Sequence, residues 1–197
     1  MKTVLLINGS KAFGKSEGNL NAHMQGVARD YFLKHNVKVL ETVIDAGYSG
    51  EQEVEKHLEA DAVILQYPGW WMDVPWIAKE YFDKVYSGSG IGKLYTSDGR
   101  TRSDATKLYG SGGLCQGKYA MLSTTWNAPA EAFNDPEQFF GGIGFDGVSL
   151  QTRKMYEFMG FSVLPGYMAN DVHKETNIDK YTADYLAHLA KVFGHLI

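Results

Sequence analysis

The stretch that decides the fold runs from residue 62 to residue 76 and reads Ala62-Val-Ile-Leu-Gln-Tyr-Pro-Gly-Trp-Trp-Met-Asp-Val-Pro-Trp76. Its apolar beginning is typical of a strand buried on both faces, and the Pro-Gly pair that follows predicts a turn. Open α/β sheets bind ligands in loops at the carboxyl ends of their strands. The loop after this strand contains three of the chain's four tryptophans, Trp70, Trp71 and Trp76. The stretch therefore predicts a site for a flat aromatic ligand, with an aromatic core or subunit interface as the alternative.

Apolar runs and helical patterns alternate along the rest of the chain. Strands are predicted at residues 4–7, 37–43, 62–65, 119–124 and 161–167, and helices at residues 19–34, 51–59, 76–86, 150–159 and 179–193. In the second helix, Val54 and Leu58 are predicted to share one apolar side. The alternation predicts an α/β fold, the flavodoxin-like three-layer sandwich with five parallel strands in the order 2-1-3-4-5 and helices on both faces. All residues fit one domain, 1–197, and the order places the loop after strand 1 beside the tryptophan loop.

The composition excludes several classes of protein. A net charge of −4 gives no general attraction to nucleic acid or to anionic membranes. The apolar runs are too short for a membrane span or a signal peptide, so we expect a cytoplasmic protein with no membrane insertion. Cys115 is the only cysteine, and the histidines do not form close ligand pairs, so no metal site is predicted. His173, His188 and His195 are interpreted as surface or cap residues.

The loop after the first strand carries two overlapping phosphate-binding patterns. Residues 9–16 read Gly-Ser-Lys-Ala-Phe-Gly-Lys-Ser, which matches the P-loop pattern and predicts an NTPase in which Lys15 contacts the terminal phosphate. The Gly-Asn pair at 18–19 is a poor first turn for a P-loop helix and suits a cap instead. In this second interpretation, an anionic phosphate binds at the helix amino terminus to donors from Ser16, Gly18, Asn19 and Asn21. The loop predicts phosphate binding and leaves the identity of the nucleotide open.

A second nucleotide-binding motif lacks the preceding strand that it requires. Residues 142–147 read Gly-Ile-Gly-Phe-Asp-Gly, the spacing of a dinucleotide-binding fingerprint, but no predicted strand precedes them. No nucleophile, base and orienting acid can be assigned from the sequence either. If the protein is an enzyme, a cofactor must therefore supply its chemistry.

Longer runs of sequence resemble a known family. Besides the tryptophan stretch, they are Ser97-Asp-Gly-Arg-Thr-Arg102, Tyr109-Gly-Ser-Gly-Gly-Leu114, Leu122-Ser-Thr-Thr-Trp-Asn-Ala-Pro129 and Glu131-Ala-Phe133. Together these runs resemble the bacterial NAD(P)H quinone reductases of the modulator of drug activity B type, within the flavodoxin-like quinone reductases. The likeness covers essentially the whole chain. It implies a flavodoxin-like homodimer that binds FAD, with FMN as the less favoured flavin, and reduces quinones by two electrons with NAD(P)H as co-substrate.

The resemblance also implies which residues hold the flavin. The segment from Ser16 to His23 matches the family's phosphate-binding loop and helix start, and Tyr109 matches a contact supplied by the partner subunit. The full implied set is Ser16, Gly18, Asn19, Leu20, Asn21, His23, Pro68, Gly69, Trp70, Trp71, Met72, Tyr109, Thr125, Trp126, Asn127 and Ala128. The related mammalian enzymes use a tyrosine and a histidine beside the flavin after their fourth strand. This chain has no histidine between Trp126 and Asn170, so such a proton relay is not assumed.

The implied activity leads to a mechanistic hypothesis. In a ping-pong cycle, NAD(P)H delivers hydride to flavin N5, the oxidised nicotinamide leaves, and a quinone occupies the same slot and accepts hydride. Backbone amides and Asn127 would polarise the flavin carbonyls, and the walls that exclude water would be Trp70, Trp71 and Tyr109. Three other functions stay open: an FMN-dependent azoreductase or flavin reductase, a flavodoxin that only carries electrons, and a P-loop NTPase that uses residues 9–16.

Overall fold

A parallel sheet forms the centre of the molecule. The computed structural model describes residues 1–14 and 16–197. The strands are β1 (Thr3–Asn8), β2 (Lys38–Val43), β3 (Ala62–Pro68), β4 (Tyr119–Thr125), β5 (Ser162–Val163) and β6 (Tyr167–Ala169). They pair in parallel in the order β2-β1-β3-β4-β5, and β6 also pairs with β4. The predicted flavodoxin-like sheet is confirmed.

Helices cover both faces of the sheet. They are α1 (Asn19–Lys34), α2 (Gly50–Glu59), α3 (Trp76–Lys84), α4 (Ala130–Asn134), α5 (Gly144–Val148), α6 (Leu150–Phe158) and α7 (Ile178–Phe193). A π-helical turn at Val85–Ser89 extends α3. Within residues 1–14 and 16–197, no helix is long and apolar enough to cross a membrane.

The core contains two large apolar clusters, one on each face of the sheet, and a smaller third cluster of Trp126, Ala132 and Phe133. Successive side chains of a strand point to opposite faces, so β1 contributes Leu5 and Ile7 to one cluster and Val4 and Leu6 to the other. The first cluster packs against α2, α3 and α6, and the second packs against α1 and α7. Each large apolar side chain that is fully buried contributes about 1.5–3 kcal/mol of transfer free energy. This packing holds the strand ends, and the loops that leave them, in fixed positions.

The structure corrects the predicted fifth strand. Residues 161–167 form no continuous strand, because β5 and β6 are separated by residues 164–166. Pro165 lies in this gap and has no N–H to donate to a strand ladder. Gly166 lies against Phe145, where an added Cβ would be 2.0 Å from the ring. The sheet therefore has six strands, while the order of the positions is the predicted one.

Helix α2 buries Val54 as predicted, but Leu58 does not share this buried side. Leu58 is 44% exposed, whereas Glu53 and His57 are buried beside the apolar cluster. Tyr81 donates to Glu53 Oε2 at 2.8 Å, and His57 Nε2 lies 3.1 Å from the Tyr86 hydroxyl oxygen. Burial lowers the pKa of His57 to about 4, so the ring stays neutral at neutral pH. A hydrophobic pattern cannot reveal such residues, because buried polar groups depend on partners from distant segments.

The two long segments between elements differ from each other. Residues 125–148, for which no strand or helix is predicted, contain α4 and α5. Residues 90–118, which follow the π-helical turn, form no helix or strand and contain isolated bridges such as Tyr95 with Gly113. Cys115 at the end of this segment is buried, and burial raises the pKa of its thiol to about 11. The thiol is therefore un-ionised at neutral pH and lies away from the site described below.

Candidate ligand-binding site

Three loops meet at the carboxyl-terminal edge of the sheet. They follow β1, β3 and β4, and the last residues of β3 and β4, Pro68 and Thr125, are paired. Gly9 N donates to Gln66 O at 2.8 Å, and Gly69 N donates to Thr125 O at 2.9 Å. Each loop therefore leaves the sheet bonded to the neighbouring strand. This edge is the crevice at which open α/β sheets bind ligands.

A buried amide network lies beneath the loops. Gln66 Nε2 donates to Asn21 Oδ1 at 2.8 Å, and Asn21 Nδ2 donates to Thr125 Oγ1 at 3.2 Å. The network connects α1 to the ends of β3 and β4 and holds the Asn21 side chain in one orientation. Among the described residues, Gln66 Oε1 is buried with no hydrogen-bond partner. Unpaired buried oxygens are uncommon and are typically satisfied by a water or a ligand.

The start of α1 leaves backbone donors without side-chain partners. Its N-cap, Gly18, has φ 74° and ψ 0°, and no side chain caps the first turn. The first turn also contains no acidic residue. The backbone N–H groups of this turn therefore stay available to a ligand, at the end of the helix where the dipole favours negative charge. The carboxylate of Glu17 is nearby, and Asn19 Nδ2 donates to it at 2.8 Å.

A first cavity of about 290 Å³ opens between this helix start and the loops. Ten of the predicted flavin residues line it: Ser16, Gly18, Asn19, Leu20, Asn21, Pro68, Gly69, Trp70, Thr125 and Asn127. Its lining therefore combines backbone and side-chain donors with one aromatic wall.

The loop after β3 closes in a strained turn. Trp70 and Asp73 exchange backbone hydrogen bonds of 2.8 and 3.1 Å, and Trp71 and Met72 between them have φ values of 48° and 67°. Left-handed conformations cost bulky residues about 1–3 kcal/mol each, and they cluster at functional sites. As a result, Trp71 projects into solvent with 96% of its surface exposed.

Aromatic rings surround this turn and form the wall of a second cavity. The Trp70 ring centroid lies 6.1 Å from that of Phe13 and 5.6 Å from that of Trp76. The cavity has a volume of about 820 Å³ and is also lined by Trp71. The two cavities are contiguous, because four residues line both: Ser16, Gly69, Trp70 and His173.

Trp126 is placed differently from the other tryptophans. It is only 6% exposed, and its ring packs edge-on against Phe133 at a centroid distance of 5.1 Å. A Cβ added to Gly69 would lie 2.2 Å from the Trp126 ring, so this glycine permits the two loops to pack directly together. Trp126 supports the cavity wall from behind and lines neither cavity.

Four other predicted residues also lie outside the two cavities. His23 Nε2 lies 2.8 Å from Thr182 Oγ1 on α7, and Met72 is half exposed at the tip of the turn. The Ala128 carbonyl oxygen accepts a hydrogen bond from Asn170 Nδ2 at 3.0 Å. Tyr109 lies on a separate, mainly apolar cavity of about 530 Å³. Within one subunit, Tyr109 therefore does not contact the residues predicted to hold a flavin.

Several residues that line the cavities are absent from the predicted set. Glu17, Val172 and His173 line the first cavity, and Phe13 and Lys79 line the second. His173, interpreted from the sequence as a surface or cap residue, is exposed and also borders both cavities. The sequence did contain a signal for His173. Residues 170–173 follow the fifth predicted strand, and the loops that follow the strands of such a sheet bind ligands.

The P-loop interpretation rests partly on Lys15, which lies outside the described residues. Its neighbours Phe13 and Ser16 pair with each other through backbone hydrogen bonds of 2.9 and 3.0 Å. The N–H of Ser16 is used in this turn, and α1 begins only at Asn19. A P-loop requires its helix to begin at the Lys-Ser pair, with these amides directed at phosphate. The described part of the loop does not have that arrangement.

Comparison with known proteins identifies the class of protein. The chain belongs to the flavodoxin-like fold family, whose model matches residues 2–192. It is 52% identical over 193 residues to the NADPH:quinone oxidoreductase MdaB of Haemophilus influenzae, covering 97% of this chain and 99% of that protein. The resemblance drawn from the sequence runs is confirmed.

Solved structures give the same fold. A provisionally named quinone reductase from Klebsiella pneumoniae matches with a TM-score of 0.76 and 26% identity, covering 97% of this chain and 83% of that one. The general stress protein 14 of Treponema denticola, solved in complex with FMN, matches with a TM-score of 0.68 and 18% identity, covering 97% and 99%. At that identity, the second likeness shows the fold alone.

Proposed function

We propose that this chain is an NAD(P)H:quinone oxidoreductase that uses FAD and transfers two electrons as a hydride. The observation that carries the proposal is the junction of a polar cavity at the start of α1 with an aromatic cavity around Trp70. A flavin needs both environments, because its phosphate is anionic and its ring is flat and aromatic. The 52% identity to a protein named NADPH:quinone oxidoreductase supports the same activity.

The residues of the first cavity fit a flavin nucleotide. The uncapped backbone N–H groups at the start of α1 would bind phosphate. The side-chain amide of Asn21, which Gln66 holds in place, would face the ribityl chain or the edge of the flavin ring. Trp70 offers one face for the ring, and Asn127 offers a polar group on the opposite loop. These residues supply hydrogen bonding and stacking in one continuous space.

The chemistry belongs to the cofactor, and the chain supplies its surroundings. When bound, the flavin accepts hydride from NAD(P)H and passes it to a quinone, a reaction that no side chain can perform. Donors fixed by the fold, such as Asn127 and the loop amides, would stabilise the negative charge that hydride transfer creates. The aromatic walls at Trp70 and Trp71 would exclude water from the reacting face.

The second cavity suits the two substrates in turn. It adjoins the first cavity at Trp70 and Gly69, so a ring seated there would meet the proposed flavin position. One shared slot requires the oxidised nicotinamide to leave before the quinone binds, which is a ping-pong order. FAD is the flavin that the sequence resemblance implies, and FMN is the alternative to be tested.

We further propose a homodimer of single-domain subunits. Large apolar side chains are exposed on the chain: Trp71 at 96% on the second cavity, and Tyr109 at 69% on the separate cavity of about 530 Å³. Large exposed apolar patches are typical of surfaces that are covered in an assembly. In the proposed dimer, Tyr109 of one subunit closes the flavin site of the partner, which accounts for its distance from the site within one subunit.

Steady-state kinetics tests this function. NADH or NADPH and a soluble benzoquinone are varied together, and we expect flavin-dependent quinone reduction with parallel double-reciprocal lines. Trp70→Ala should lower kcat/KM, whereas Leu33→Ala, which removes an exposed apolar side chain from the far end of α1, should not. Absence of quinone reduction by flavin-loaded protein, or magnesium-dependent ATP hydrolysis instead, would overturn the proposal.

A further inference from the structure

His173 is the one imidazole, among the described residues, that borders both cavities. It lies four positions beyond the end of β6 (Tyr167–Ala169), on a segment that runs past the loop after β4. It shares the junction between the cavities with Ser16, Gly69 and Trp70. His173 is therefore located where the proposed cofactor and the proposed substrates would meet.

The backbone around His173 is fixed to the wall of the site. Val172 N donates to Trp126 O at 3.2 Å, and Asn170 Nδ2 donates to Ala128 O at 3.0 Å. The Tyr181 hydroxyl donates to Asn170 O at 2.9 Å and connects the segment to α7. Asp171 has φ 56°, a left-handed conformation that is strained for a residue other than glycine. His173 is thus exposed on a segment whose position is set by packing.

The other charged groups that line the cavities already have partners. Asn19 donates to Glu17, Val74 N donates to Asp73 Oδ1 at 2.8 Å, and Lys79 forms an ion pair with Asp83. On its own segment, the charged neighbours of His173 are Asp171, Lys174 and Glu175. In the described part of the chain, no hydrogen bond or ion pair engages the His173 ring. Its nitrogens are available to a ligand and to solvent.

We propose that His173 is a catalytic residue that donates a proton to the quinone oxygen, an inference that rests on the proposed function. Hydride brings the quinone two electrons and one proton, so forming the hydroquinone requires one further proton. The His173 imidazolium would give that proton to the second oxygen, become neutral, and recover a proton from solvent.

Two acceptors separate proton donation from electron transfer. A benzoquinone needs the proton, whereas ferricyanide accepts single electrons and needs none. We expect His173→Gln to slow the quinone half-reaction about 100-fold, within the usual range for general acid catalysis, and to change ferricyanide reduction less than about 2-fold. His195→Gln, which removes an exposed imidazole near the carboxyl terminus, is the matched control and should change neither rate.

Two further readouts do not depend on turnover. The dissociation constant of FAD should be the same for wild type and His173→Gln, because the proposed role is on the substrate. The His173 imidazole signal in NMR spectra of the oxidised holoprotein should shift when a redox-inactive hydroquinone ether binds.

The outcomes distinguish this inference from the proposed function. Suppose that wild type reduces quinones, and that His173→Gln lowers the rates of both quinone and ferricyanide reduction and weakens FAD binding. His173 then holds the cofactor, and the inference is overturned. Equal quinone rates in wild type and variant would also overturn it, while leaving the proposed function intact. If wild type itself reduces ferricyanide but no quinone, both statements fail.

Discussion

The loops after β3 and β4 leave the sheet side by side, yet their tryptophans have opposite environments. The loop after β3 forces Trp71 into a left-handed conformation and exposes 96% of it, whereas the loop after β4 buries Trp126 against Phe133. Burial stabilises the fold, and exposure of a large ring does not. The comparison indicates that the first loop serves a ligand or a partner and that the second loop supports it.

The strongest test of this comparison is Trp126→Ala. Removing a buried aromatic ring typically costs about 3–5 kcal/mol, so we expect a loss of this size in the free energy of unfolding by urea. Flavin affinity should fall as well, since Gly69 would lose the ring against which it packs. A change below about 1 kcal/mol would show that the second loop does not depend on this residue.

Lowering the pH should reduce the stability of the fold, and with it the order of both loops, through His57, which lies far from either loop. The pKa of His57 is about 4 in the fold and about 6.5 in an unfolded chain, so the unfolded state binds more protons between these values. Stability is therefore complete above pH 6.5 and falls by roughly 3 kcal/mol as pH drops to about 4. The free energy of unfolding, measured with urea across this pH range, should change less with pH in His57→Gln than in wild type. An equal change with pH in the two proteins would contradict the lowered pKa of His57.

Gly69→Ala should disturb the contact between the two loops. A Cβ at this position would lie 2.2 Å from the Trp126 ring, so the indole or the turn must move. Overpacking of this kind typically costs about 1–3 kcal/mol, and flavin affinity should fall with it. Gly88→Ala, where a Cβ meets no atom within 4 Å, is the matched control. If both variants behave alike, the loops do not depend on this contact.

Trp71→Ala should have the smallest effect on stability. The ring is exposed, so we expect a change in unfolding free energy within about 0.5 kcal/mol. FAD retention should nevertheless weaken, which equilibrium dialysis of the loaded protein would measure. Unchanged flavin affinity would refute a stacking role for Trp71 and leave it to the subunit interface.

Sequence reasoning located the sheet and its ligand-binding edge because both follow from local patterns. The apolar run at 62–65 and the Pro-Gly pair after it predict where the strand stops, and the Gly-Asn pair at 18–19 predicts where the first helix begins. The opposite environments of Trp71 and Trp126 were not predictable, since they depend on long-range packing against Gly69 and Phe133.

Other differences have equally specific causes. The split of the fifth strand had a local signal in Pro165, which strand periodicity alone overlooks. The burial of His57 in place of Leu58 depends on a hydroxyl supplied by a distant helical turn. His173 was not found, because its role is defined by the cavities that it borders rather than by any motif around it.

The visible absorption spectrum of the purified protein, followed by chromatography of what heat denaturation releases, tests the central claim most directly. Our account predicts a yellow protein that releases FAD. Release of FMN would keep the site and change the cofactor. A colourless protein that cannot be reconstituted with either flavin, and that binds ATP with magnesium, would contradict the account.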